Sequence, residues 1–263
     1  MDKYLKAGVK ALIEEHPPIG EILDHYGIGC VPCTVGTCKL EDVVKFHHLT
    51  PHRQARLMYE IEKALCPDRD VPEPAVPEGA AADVPAEIPY SPSPPVRRLV
   101  AEHDNIKRLL AAIPAITAEI ERTGQLDADL LRGVLDFIRG YADRFHHLKE
   151  EDILFDYANK DEEIIKVIYQ DHDAARGYVR AAAEAIESGD AQAVCANLRN
   201  YRALLTEHID KEDGVLYPYL DRGLTTSQVG QLFQRFNEAE SQVDADVPAR
   251  YLRFVEELER RYA

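Results

Sequence analysis

The chain has 263 residues, of which 45% are hydrophobic and 30% charged, a composition that is ordinary for one or two globular domains. Its formal net charge of −16 argues against binding to nucleic acid or to an anionic membrane surface, since both need a basic patch. No apolar run approaches the roughly 20 residues of a membrane span, so we expect no membrane partner.

The N-terminus lacks the apolar core and the cleavage site of a signal peptide, and we therefore expect a cytoplasmic protein. Five cysteines in a reducing compartment are more typical of metal binding or redox chemistry than of structural disulfides.

Residues 1–66 are predicted to form a small helical domain. Apolar residues recur at helical spacing over 4–15, 19–26, 40–46 and 51–65. The loop between the second and the third of these helices contains glycine, proline and three cysteines.

These cysteines are Cys30, Cys33 and Cys38, with the spacing Cys-x2-Cys-x4-Cys. Cys-x2-Cys on a loop lets two thiolates converge on one metal, and the third cysteine adds a ligand. The candidates for a fourth ligand are Cys66, His47, His48 and His52. If an iron–sulphur cluster forms, we expect Cys66, because thiolates suit such clusters better than histidines do. The spacing is equally compatible with a zinc site, a thiol–disulfide couple or free thiols.

Residues 67–95 are predicted to be an extended linker. Nine of them are proline and most others are small or acidic, so the segment has too little apolar surface to fold.

Residues 96–263 are predicted to be an all-α, up-down four-helix bundle with extra C-terminal helices. Helical periodicity places the four helices at 95–123, 128–157, 161–187 and 190–220. The tail that follows is amphipathic, and it either packs outside the bundle or makes a homo-oligomer contact.

The second helix carries two overlapping His-x3-Glu pairs, His146 with Glu150 and His147 with Glu151. Positions i and i+4 share a helix face, whereas adjacent residues are about 100° apart. The apolar stripe of the helix is in register with His146 and Glu150. We therefore expect these two to point inward, and His147 and Glu151 to lie on the polar side.

Matching residues occur on the other three helices. His208 and Glu212 repeat the motif, and His103 and His172 lie on apolar stripes. Taken singly, each is more simply a satisfied core or surface histidine. As a set they suit iron or another first-row metal, and helical bundles build dinuclear sites from such inward residues. The predicted ligands are His103, His146, Glu150, His172, His208 and Glu212.

The order His, His-x3-Glu, His, His-x3-Glu over residues 95–220 resembles the hemerythrin-like (HHE cation-binding) family. The resemblance implies two non-haem iron ions with both carboxylates able to bridge them. The oxygen carriers of that family have a second histidine where this chain has Arg176, and they use an aspartate at the position of Asp213, a rival to Glu212. Four histidines would leave open positions on at least one metal, which favours redox chemistry or sensing.

The first 66 residues are similar to the short N-terminal domain of the iron–sulphur-cluster repair di-iron proteins. The shared features are a proline after the first helix and an Ile-Leu-x2-Tyr-Gly-Ile run that leads to a cysteine. The cysteines of those proteins are usually adjacent, whereas Cys30 and Cys33 are not.

Three functional hypotheses follow. The first is a di-iron oxidoreductase that acts on a small diatomic or peroxide ligand (nitric oxide, oxygen or peroxide) with an electron donor that the sequence does not identify, in stress defence or iron–sulphur-cluster repair. The second is a sensor of iron, oxygen or redox state. The third is an oxygen-binding or iron-storage module without turnover.

Overall fold

The computed structural model describes residues 2–26, 28, 39–41, 49, 51–67, 69–74, 90–243 and 246–262. All regular elements within these ranges are helices, apart from an isolated bridge between Gly8 and Lys39, so the all-α prediction is confirmed. No helix in the same ranges has the length and apolar character needed to cross a membrane.

The chain divides into two compact units, residues 1–91 with 214–219 and residues 92–213 with 220–263. The described helices before residue 90 are α1 (Asp2–Leu5), α2 (Val9–Glu15), α3 (Pro18–His25) and α4 (Pro51–Leu65). Their apolar faces pack in one core that includes Leu12, Leu23, Leu57 and Ile61. Most of the predicted helix at 40–46 lies outside the described residues.

From residue 90 onward the elements follow the predicted order. The first are α5 (Pro94–Thr123), α6 (Ala128–Phe137), a π-helix (Ile138–His147), α7 (Leu148–Asp152) and a 3₁₀ turn (Leu154–Tyr157). Then come α8 (Glu163–Ser188), α9 (Ala191–Lys211), a second π-helix (Glu212–Leu216), α10 (Tyr217–Gly223), α11 (Thr226–Ser241) and α12 (Asp246–Tyr262).

Local chemistry explains the two tight connections of the bundle. Gly124 and Gly189 end α5 and α8 in the left-handed conformation, with φ of 67° and 72°, which favours glycine. Asp127 and Asp190 then cap the N-termini of α6 and α9. The side chain of each accepts a hydrogen bond from the backbone N–H three residues later, that of Leu130 and Ala193 respectively. The chain therefore reverses within a few residues at both places.

A cluster of histidines lies beside the apolar core of the bundle. Ile106, Ala142, Ala175 and Ile209, one from each bundle helix, belong to one buried apolar cluster, and each is followed or preceded within about a turn by a histidine. The tail helix α12 joins the same cluster through Tyr251, Val255 and Leu258. It therefore packs on the bundle, which was one of the two expected roles of the tail.

Candidate metal centre

Seven ionisable side chains are buried beside this apolar cluster. They are His103 on α5, His146 and His147 on the π-helix, Glu150 on α7, His172 on α8, His208 on α9, and Glu212 at the start of the second π-helix. None is more than 3% exposed. Unpaired burial of such groups costs several kcal/mol each, so the cluster requires internal partners or a ligand.

The seven residues form two overlapping groups in which one ligand atom per residue lies within 4.8 Å of the others. The first group is His103, His146, Glu150 and Glu212, and the second is His147, Glu150, His172 and His208. Glu150 belongs to both groups, and its Oε2 lies 3.6 Å from His146 Nε2 and 3.6 Å from His172 Nε2. Its carboxylate is therefore shared by the two ligand groups.

Glu212 lies between the two groups in the same way. Its Oε2 is 3.2 Å from His103 Nε2 in the first group and 3.1 Å from His208 Nε2 in the second. The two glutamates thus each contact one histidine of each group.

The outer nitrogen of every histidine meets a carboxylate. The Nδ1–oxygen distances are 2.7 Å for His103–Asp213, 2.9 Å for His146–Glu102 and 2.6 Å for His172–Glu151. The contacts His208–Asp171 and His147–Asp143 are longer, at 3.4 and 3.6 Å. Because an ionised carboxylate only accepts hydrogen bonds, the three short contacts place the N–H of His103, His146 and His172 on Nδ1 and leave Nε2 free as a metal ligand.

The inward nitrogens fit a bound cation. His172 Nε2 and His208 Nε2 are only 3.1 Å apart, so two lone pairs would face each other if both Nδ1 atoms carried the proton. His146 Nε2 is buried and has no hydrogen-bond partner among the described residues. A metal ion among these atoms resolves both problems, and imidazole with carboxylate is a donor set that first-row metals accept.

Protons balance part of the charge in the metal-free cluster. Burial opposes a charged His208, but the neighbouring Glu212 raises its pKa to about 9. Burial would likewise raise the pKa of Glu212, yet His208 and His103 hold it well below its usual range. Burial holds the pKa values of His146 and His172 well below the usual range, so these imidazoles are neutral ligands.

A layer of basic side chains surrounds the five outer carboxylates. Its ion pairs are Lys107–Asp213 at 2.7 Å, Lys211–Asp171 at 2.8 Å, Arg176–Glu151 at 2.7 Å, Arg176–Asp143 at 2.9 Å, and Lys149–Glu102. Burial would raise the pKa of each of the three aspartates, but the adjoining histidines and basic groups lower it; these are Asp143, Asp171 and Asp213. Burial outweighs Lys149 at Glu102 and raises its pKa to about 7.

The predicted orientation of His147 is wrong. Its side chain is buried, belongs to the second ligand group, and stacks on His172 with ring centroids 3.8 Å apart. The prediction assumed an unbroken α-helix, but the segment up to His147 is a π-helix, in which each turn holds an extra residue. The register with the apolar stripe therefore shifts, and His146 and His147 both reach the interior.

Glu151 lies outside both ligand groups, with its side chain 20% exposed. It accepts from His172 Nδ1 and pairs with Arg176, so it supports a ligand instead of facing only solvent. The structure brings together all six residues that the sequence predicted as ligands and adds His147. The His-His doublet was the only sequence signal for this seventh residue.

The cysteine site stays a prediction. Cys30, Cys33 and Cys38 lie outside the described residues, and Cys66 is a half-buried free cysteine.

A family model described as the hemerythrin HHE cation binding domain matches residues 95–220. No curated protein and no solved structure gives a significant match to the chain. The family match does not reach the first 66 residues, whose similarity to the repair proteins stays a prediction.

Proposed function

Residues 95–220 are a hemerythrin HHE cation-binding domain, and from that premise we propose that the chain is a non-haem di-iron protein that handles a small oxidant such as nitric oxide, oxygen or peroxide. The domain accounts for metal binding. The identity of the metal as two iron ions, and the reaction with an oxidant, are the proposal.

The observation that carries the proposal is the pair of overlapping ligand groups with Glu150 in common. A single-metal site needs one group of three or four donors, whereas this cluster supplies two groups and two carboxylates that each contact both. Dinuclear sites of helical bundles are built in this way.

The chain restricts what can reach the centre. All seven candidate ligands are at most 3% exposed, so the centre accommodates a ligand of a few atoms and excludes a large substrate. Bound iron would supply a change of oxidation state and an exchangeable coordination position. The outer carboxylates Asp213, Glu102 and Glu151 fix the N–H of their histidines on Nδ1 and so keep the inward nitrogens oriented.

His147 favours a second candidate, reversible oxygen binding without turnover. The sequence predicted four histidines at the centre, with Arg176 in place of the fifth that the oxygen carriers have, and this disfavoured oxygen binding. Since His147 supplies a fifth inward imidazole from another helix, the number of histidines no longer separates the two functions.

Metal analysis and Mössbauer spectroscopy of anaerobically purified protein test the proposal. We expect two iron ions per chain with nitrogen and oxygen ligands, and the loss of both in Glu150→Gln, because this residue serves both groups. Glu184→Gln is the matched control, since Glu184 is exposed on α8. One iron per chain, or iron that survives Glu150→Gln, would contradict a dinuclear centre.

Reaction of the reduced protein separates the functions. Consumption of nitric oxide or peroxide over many cycles indicates an oxidant-handling enzyme, and a reversible optical change with oxygen alone indicates a carrier. A sensor would show a ligand-dependent change in oligomeric state or partner binding with no turnover.

A further inference from the structure

A cleft of about 230 Å³ opens beside the metal centre, between the π-helix and α8. Two ligand histidines, His147 and His172, line its inner end, and their rings are stacked at 3.8 Å. The cleft therefore contacts the outer part of the second ligand group. Its volume exceeds the roughly 150 Å³ of an apolar cavity that admits benzene.

The buried wall of the cleft is apolar. It consists of Ile138, Ala142, Ala175 and Val179, each at most 6% exposed. An apolar wall of this kind favours an organic ligand with a flat or branched hydrocarbon body over an inorganic ion.

Two arginines mark the open side of the cleft. Arg139 and Arg180 line it, are exposed, and form no ion pair or hydrogen bond in the described part of the chain. Arg176 also lines it, but its guanidinium is already paired with Asp143, Glu151 and Asp173. The two unpaired guanidinium groups favour an anion, and a carboxylate matches their planar donors.

One buried polar group that lines the cleft and belongs to neither ligand group lacks a hydrogen-bond partner among the described residues. Tyr201 is 2% exposed and lines the cleft, and its hydroxyl has no hydrogen-bond partner among the described residues. Such groups are almost always satisfied in folded proteins, so an oxygen atom of a ligand body is a fitting acceptor here.

We propose that this cleft binds a small aromatic or branched carboxylate of about the size of benzoate. The carboxylate pairs with Arg139 and Arg180, the body contacts the apolar wall, and Tyr201 donates a hydrogen bond to an oxygen on the body. The site does not require a metal ion, so its test is independent of the proposed oxidant chemistry.

Isothermal titration of the full-length, metal-free protein with benzoate tests the proposal, with benzyl alcohol and inorganic phosphate as comparison probes. We expect benzoate to bind at least about tenfold more tightly than either, because one lacks the charge and the other the apolar body. The double variant Arg139→Gln/Arg180→Gln should weaken benzoate binding by about tenfold or more. The control pair Arg122→Gln/Arg202→Gln, which makes the same charge change outside the cleft, should leave it unchanged.

Tyr201→Phe provides the second arm, and it should fold normally because the lost hydroxyl has no partner. We expect the wild-type protein to prefer 4-hydroxybenzoate over benzoate, and this preference to disappear in the variant. The proposal is overturned if benzoate does not bind, if both arginine pairs weaken it equally, if phosphate binds as tightly, or if Tyr201→Phe keeps the preference.

Discussion

At the residue scale, His147 decides how many imidazoles the centre contains. It is buried, it stacks on His172, and it belongs to the same ligand group as His208. Helical periodicity assigned it to the polar face. The π-helix that moves it inward cannot be recognised from the spacing of apolar residues in the sequence.

We predict that His147→Ala loses as much bound iron as His146→Ala, because each residue supplies one donor of a different ligand group. Metal content of the purified variants measures the loss. His25→Ala is the control, since His25 is exposed on α3. A His147→Ala protein with full metal content would return this residue to a structural role.

A single arginine supports two ligands of one group. Arg176 pairs with Asp143 and with Glu151, and these carboxylates contact the outer nitrogens of His147 and His172. The residue that replaces a histidine of the oxygen carriers thus has its own place in the centre. Loss of its charge would leave both carboxylates without their shared cation.

We predict that Arg176→Gln lowers metal affinity by roughly 10- to 100-fold, the range typical of residues that orient metal ligands. Competition with a chromophoric chelator measures the affinity. Arg199→Gln is the matched control, because Arg199 makes a similar double contact with Glu121 in an exposed position. Equal affinities of the two variants would show that the ligand histidines do not depend on this cation.

At the element scale, the side chain of Tyr251 on α12 occupies the space that a side chain at Gly140 of the π-helix would need. A Cβ atom built on Gly140 would lie 1.7 Å from the hydroxyl oxygen of Tyr251, which is buried at 4% exposure. The π-helix therefore has two effects. It turns His147 inward, and at Gly140 it leaves the space that Tyr251 of the tail helix fills.

We predict that Gly140→Ala destabilises the bundle by about 1–3 kcal/mol, the usual cost of overpacking. The control is Gly177→Ala in the middle of α8, where the new Cβ meets no atom within 4 Å. That substitution should stabilise the protein by up to about 1 kcal/mol, because alanine favours a helix more than glycine does. Urea unfolding measures both, and a Gly140→Ala protein as stable as the control would contradict the close contact.

The elements of the bundle were predictable because their signals are local. Apolar stripes located the helix ends to within a few residues of Gly124, Asp127, Gly189 and Asp190, which cap them in the structure. The π-helices were not predictable, since they differ from α-helices in hydrogen bonding and not in composition. The outer carboxylates also escaped prediction, because residues such as Glu102 and Asp171 meet their histidines only across helices.

At the scale of the whole molecule, two apolar clusters among the described residues form separate cores. One lies within residues 9–65, and the other joins α5, α6, the π-helix, α8, α9 and α12. All seven candidate metal ligands lie between residues 103 and 212, and none belongs to the first core. Metal binding should therefore affect the stability of the two cores very differently.

The reason is thermodynamic linkage. The ligands come from four helices, and their inward nitrogens and oxygens are mutually repulsive unless protons or a metal ion balance them. A metal ion that binds only the folded bundle stabilises it by roughly 2.7 kcal/mol at a hundred times its Kd. The first core contains none of these ligands, so its stability should be independent of the metal bound in the bundle.

We predict that removal of the metal with a chelator lowers the melting temperature of the bundle by about 5–10 °C or more, in a variant with Cys30, Cys33, Cys38 and Cys66 replaced by serine so that the bundle alone loses metal. Hydrogen exchange measured by mass spectrometry should show the change, with faster exchange in peptides from α5, α8 and α9. Peptides from α3 and α4 are the internal control and should exchange at the same rate in both states. Equal acceleration in all peptides would indicate that the chelator destabilises the whole chain, and no acceleration in α5, α8 and α9 would mean that the metal does not hold these helices together.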